Sequence, residues 1–153
     1  MVQYVYDCAT GDMTEAEDSP IDLGVRKANV REKISAQTQA VFDAGYTVPT
    51  GTLAGHNLQC RNETDRTNWL TSLSMYQVAV AAGQGDVVDA VFRTTANETI
   101  KTTYAEGFQA ILGIAQWGRA VYARSWALKD ACEAAADGAA LDAVEAGILN
   151  GWP

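Results

Sequence analysis

The chain reads as an α+β domain, helices packed with short antiparallel hairpins in the order β-α-ββ-α-ββ-α-α. Three observations carry this reading. Apolar residues recur at helical spacing in four separate segments. Short runs rich in Val, Thr, Tyr and Phe lie between them, most of them paired across Gly- or Asn-containing turns. Helices separate these hairpins, which favours an antiparallel sheet over a doubly wound parallel one. The chain has 153 residues, about one domain, and a globule of that size buries roughly two-thirds of its unfolded surface. Apolar residues at 48% and charged residues at 20% exclude a mostly disordered chain, a collagen and a coiled-coil rod.

The elements follow in order. Residues 2–6, Val-Gln-Tyr-Val-Tyr, are a strand signal, and Asp7 to Asp12 a turn. The acidic run to Asp18 has no periodicity and is expected as an extended connector. The first strand is therefore expected to lack a sequence-near partner, and either joins a sheet elsewhere in the fold or pairs with another molecule. Asp18-Ser19-Pro20 starts a helix: Asp18 or Ser19 caps, and Pro20 suits the first helical position. That helix runs to about Ala44 on Val30, Ile34, Val41 and Phe42, with Gly45 as its C-terminal stop and Gly24 as a place where it could split.

Thr47-Val48-Pro49 and Leu58-Gln59-Cys60 flank a Gly-rich turn, with Pro49 at a strand end. Asn62 is an N-cap with Asp65 near its third position, a relative of the capping box. The helix behind it runs to about Ala82, with Trp69, Leu73, Tyr76 and Val80 on one stripe. Val87 to Ile100 predicts a hairpin turning at Ala96-Asn97-Glu98, in which Val88, Ala90 and Phe92 alternate with Val87, Asp89, Val91 and Arg93. A long helix follows from about Tyr104 to Ala135. Phe108, Ile111, Leu112, Ala115, Tyr122 and Trp126 form one side of it; Ile114, Trp117, Val121, Leu128 and Cys132 form another. It is apolar over more than half its circumference, so it is either the central helix or packs on a partner as well. A last helix runs from about Ala139 to Leu149. Three regions result: 1–19, a strand and acidic arm; 20–149, the α+β domain; 150–153, a C-terminal tail.

Eleven bases against nineteen acids give a net charge of −8, which argues against a nucleic-acid groove. The first 23 residues hold six acids and no base, residues 24–124 ten bases and eight acids, and residues 125–153 one base and five acids. The acidic ends either stay solvated and keep the protein soluble, or dock on a basic patch of a partner. Cys8, Cys60 and Cys132 are far apart, and three thiols cannot close into a disulfide framework within one chain. Buried thiols are the default, with a bridge and a spare thiol, or a bridge to another chain, as the alternatives. No signal peptide is expected from Met1-Val-Gln-Tyr-Val-Tyr-Asp, and the uncharged stretch Thr67–Gly85 is too polar for a membrane span.

The catalytic inventory is poor. His56 is the one histidine, and its spacing to Cys60 does not converge two metal ligands. P-loop, G-x-G-x-x-G and G-x-S-x-G motifs are missing. Glu15, Glu17, Asp86 and Asp89 read as solvated carboxylates and not as an acid/base pair. Asp7 to Asp18 lacks the glycine and glutamate that a calcium loop needs. Asn62-Glu63-Thr64 and Asn97-Glu98-Thr99 match the glycosylation triplet and read more simply as cap and turn residues. Trp69, Trp117, Tyr122 and Trp126 are expected in the core. Tyr4, Tyr6 and Trp152 sit at the termini, harder to bury in one domain, and are expected to meet a neighbour.

Four ordered segments carry a resemblance. VRKANVREKISAQTQAVFDAG precedes a Gly-rich strand pair ending GHNLQCRNETDRTNWL; VVDAVFRTTANETI follows, and RSWALKDACEAAADGAALDAV closes. From about Ile21 to Val144 the chain resembles a family of tailed-phage and prophage domains of unknown function found in tail-fibre and other tail-associated proteins. The opening YVYDCATGD is similar to the tyrosine-rich first strands of small phage tail proteins. The cysteines and the Trp152-Pro153 tail stand outside the resemblance.

The resemblance implies a non-enzymatic virion structural protein of the tail, baseplate or fibre-attachment region, made in the host cytoplasm. Its expected partners are copies of itself, a trimer favoured, and other tail or fibre proteins; no cofactor, nucleic acid or membrane is expected. A fibre-assembly chaperone and a capsid decoration protein are the alternatives. The expected interface residues are Val2, Tyr4, Tyr6, Trp117, Ile148, Leu149 and Trp152.

Overall fold

A computed structural model describes residues 4–6, 13–15 and 20–153. The elements are β1 (Tyr4–Tyr6), β2 (Met13–Glu15), α1 (Pro20–Ala44), β3 (Tyr46–Thr47), β4 (Asn57–Leu58), α2 (Glu63–Ala81), β5 (Val88–Arg93), β6 (Thr99–Thr103), α3 (Tyr104–Ala134) and α4 (Gly138–Ala146). The α+β class holds: four helices are combined with short strands that pair as three two-stranded antiparallel sheets among the described residues. No helix among the described residues is long and apolar enough to cross a membrane.

The first strand departs from expectation. β1 has a near partner, pairing antiparallel with β2 in the register Tyr4–Glu15, Val5–Thr14 and Tyr6–Met13. A three-residue strand is too short to show alternation, so the Met-Thr within the acidic run gave no periodic signal. Val2, Cys8 and the helix-cap residues Asp18 and Ser19 lie outside the described residues.

α1 runs unbroken through Gly24. Its buried residues Val30, Ile34, Thr38 and Phe42 step four apart along one stripe. The one polar member, Thr38, is satisfied: its hydroxyl lies 2.7 Å from the Ile34 carbonyl and 3.0 Å from the Ser125 hydroxyl on α3. Gly45 ends the helix at φ +81, and a Cβ there would lie 2.5 Å from the Leu58 carbonyl oxygen, so only glycine fits.

The core has two parts. One gathers Phe42, Val48, Leu58, Tyr76, Phe92, Ile111 and Val121; the other Val30, Ile34, Leu128, Cys132, Leu141 and Ile148. Trp152 packs against both. α2 begins at Asn62, whose side chain accepts from the Asp65 N–H at 2.9 Å. Asp65 returns to the Arg61 N–H at 3.0 Å, one residue earlier than a capping box would. The hairpin buries Ala90 and Phe92, with Phe92 stacked on Trp69 at 5.2 Å. Val88 is 59% exposed and does not share their face, because the register shifts between Val88 and Ala90.

The acids of the C-terminal region do not simply stay solvated. Arg26 pairs with Asp142 at 2.6 Å, Arg31 with Glu133 at 2.5 Å, and Lys33 with Glu145. The basic side of α1 thus meets α4 and the end of α3 within the same molecule. These pairs are exposed and contribute orientation more than stability.

Candidate functional site

A cleft of about 610 Å³ opens between the loop after β3 and the first turns of α3, within the range typical of small-ligand sites. Val48 and Leu53 anchor the loop in the core, and Phe108 and Pro49 line the cleft. Tyr46 crosses to α3, where a Cβ on Gly113 would lie 2.3 Å from its hydroxyl. Burial raises the Tyr46 phenol above its ordinary pKa.

Glu106 is the charged group of the cleft. Thr103 caps α3, its hydroxyl accepting from the Glu106 N–H at 3.2 Å. The carboxylate points elsewhere. It accepts from the Thr102 hydroxyl, from the Thr52 hydroxyl at 2.8 Å and from the Thr52 N–H at 3.4 Å. The Thr102 hydroxyl first, and Thr52 after it, hold the carboxyl below the usual range. Glu106 therefore stays ionised and ties the loop to α3. Sequence reasoning passed it over, although Thr103-Tyr104-Ala105-Glu106 ahead of an apolar run has the capping-box form.

The residues expected at an interface are divided by the structure. Ile148 is 5% exposed within the second core part, so it packs inward and is corrected to a core residue. Trp152 is half-buried; its indole N–H donates to the Ile148 carbonyl at 2.6 Å. A tail folded back on its own domain buries it without a neighbour. Trp117 is also half-buried, edge-on to Phe42 at 5.5 Å, and donates to the Pro153 carbonyl at 3.2 Å. Arg124 holds that tail by donating to the carbonyls of Gly147 and Asn150, a contact that no local motif announces. Leu149 is 75% exposed. Tyr4 and Tyr6 lie on β1, and Val2 outside the described residues.

Two residues expected in the core are outside it. Trp126 is 62% exposed, and Tyr122 lies beside it at a ring separation of 6.0 Å, partly exposed. The buried stripe of α3 runs through Ala110, Ile114, Val121, Ser125, Leu128 and Cys132. At 3.6 residues per turn, Trp126 lies about a third of a turn round from it. Apolar spacing alone did not show which side the other helices cover. The outer side of α2 is exposed too: Leu70, Met75 and Val78 are all more than half exposed. No charged residue occurs from Thr67 to Gly85.

His56 faces Glu98 at 3.7 Å, and Cys60 lies in the core. Among the described residues no three His, Cys, Asp or Glu side chains are grouped to hold a metal.

The model of one family, described as a domain of unknown function (DUF4376), matches residues 25–146, from α1 to the last residue of α4. No curated protein and no solved structure matches the chain. The chain belongs to the DUF4376 family.

Proposed function

We propose that this chain is a non-enzymatic structural part that works through protein–protein contacts. It belongs to the tail, baseplate or fibre-attachment region of a phage particle and associates first with copies of itself, a trimer favoured. The resemblance of the four ordered segments supports the phage setting. The observation that carries the contact role is the outer side of α2. Leu70 at 64%, Met75 at 53% and Val78 at 69% exposed lie within the part of α2 from Thr67 on, which carries no charged residue over about four helical turns. A solvated helix ordinarily carries charge on its outer side. On a molecule with a net charge of −8, this neutral strip is where two copies meet without burying like charges. Exposed Leu149 and Trp126 add further apolar surface.

The test is the content of purified particles. Quantitative mass spectrometry is expected to find the chain at a fixed copy number in mature virions. Its presence during assembly and loss from mature particles would favour a fibre-assembly chaperone, and its absence from both would remove the phage reading.

A further inference from the structure

We propose that the cleft between the loop after β3 and the start of α3 binds an organic cation, a protonated amine or guanidinium on an apolar stem, with Glu106 as its counter-charge. The lining contains one carboxylate and no lysine or arginine, and no cation among the described residues pairs with Glu106. A carboxylate offers about four acceptor positions. The Thr102 hydroxyl, the Thr52 hydroxyl and the Thr52 N–H occupy three, the last at a long 3.4 Å. Room for a further donor remains on a group already fixed in place, so little ordering is needed on binding. The pKa of Glu106 is lowered, which keeps the charge present at neutral pH.

The walls suit the stem. Phe108, Pro49 and Val80 present apolar surface on which methylenes can lie while the charged head meets the carboxylate. Tyr46 also lines the cleft, and Gln109 brings an amide to it. An anion would face both Glu106 and the net negative charge of the molecule. The cation could be a free small amine or the side chain of a lysine or arginine on another protein. This inference stands apart from the assembly reading, and its failure leaves that reading in place.

The full chain, labelled with 15N, is titrated with n-butylammonium, n-butylguanidinium and, as the neutral control, n-butanol. Saturable amide shifts at Thr52, Glu106 and Gln109 are expected with both cations and not with butanol, with a dissociation constant of about 1 mM. Glu106→Gln should weaken binding at least fivefold. That change also loosens the loop, so Gln109→Lys is the second variant. It leaves the carboxylate and its threonine donors in place and supplies an internal cation three residues away, which should block the added one to the same degree. A capped Ala-Lys-Ala peptide binding more tightly than butylammonium assigns the site to a partner's side chain; the reverse order assigns it to a free amine. Equal shifts with butanol, no saturable shift, or unchanged affinity in Gln109→Lys would overturn the proposal.

Discussion

The Tyr76 hydroxyl accepts from the Val91 main-chain N–H at 3.2 Å and lies 3.5 Å from the Val91 carbonyl oxygen, to which it donates. A side chain on α2 thereby occupies main-chain groups that a two-stranded sheet leaves open. Tyr76 itself is 2% exposed, and its ring neighbours Phe92 at 6.1 Å and Tyr104 at 5.6 Å. One residue thus seals the hairpin edge, fills the core and holds α2 against β5.

Tyr76→Phe keeps the ring and removes the seal. The Val91 N–H then loses its partner in a partly buried place, at a cost of about 1 kcal/mol. Urea denaturation should show that loss, and the Val91 amide should exchange hydrogen faster while the amides of α1 keep their protection. Equal protection at Val91 in both proteins would remove the sealing role.

Tyr46 and Gly113 form a second close pair. A Cβ on Gly113 would lie 2.3 Å from the Tyr46 hydroxyl and 2.9 Å from the ring carbon bearing it. Alanine in a helix interior ordinarily stabilises relative to glycine by about 1 kcal/mol. Here the clash reverses the sign, and Gly113→Ala should destabilise by about 1–3 kcal/mol. Tyr46→Phe removes the nearest atom, so the double variant should lose less than the two single losses together, as read from denaturation midpoints in a double-mutant cycle.

The described thiols give a pH dependence. Burial pushes the Cys60 thiol up to about 11 and also raises Cys132. A group whose folded pKa is raised favours folding below its unfolded value and loses that contribution as pH climbs through the folded one. Stability should therefore fall between about pH 9 and 11, and Cys60→Ser should flatten that decline. At pH 8, iodoacetamide followed by peptide mapping should leave Cys60 and Cys132 unmodified until urea unfolds the chain.

What could be read without coordinates was local. Pro20 and Gly45 bound α1, Asn62 caps α2, and Asn97, at φ 66, turns the hairpin, because each acts within a turn of its own position. The positions that escaped depend on distant chain. Val88 is turned out by a register shift, Trp126 faces away from the helices that cover α3, and Trp152 is buried by a tail that Arg124 retains. Glu106 belongs with these. Its cap pattern is local, but its donor Thr52 lies 54 residues away, so the cleft takes shape only once the loop packs on α3.

The central claim is that copies of this chain meet, and that the uncharged side of α2 is where they do so. Sedimentation equilibrium of the full chain over a range of concentrations tests it most directly, beside Val78→Lys, which places a charge in the middle of that surface. The account predicts a particle mass that is a multiple of 16.4 kDa, threefold favoured, falling to one chain in Val78→Lys with helix content unchanged. A single species of 16.4 kDa at every concentration, or an assembly that Val78→Lys leaves intact, would contradict it.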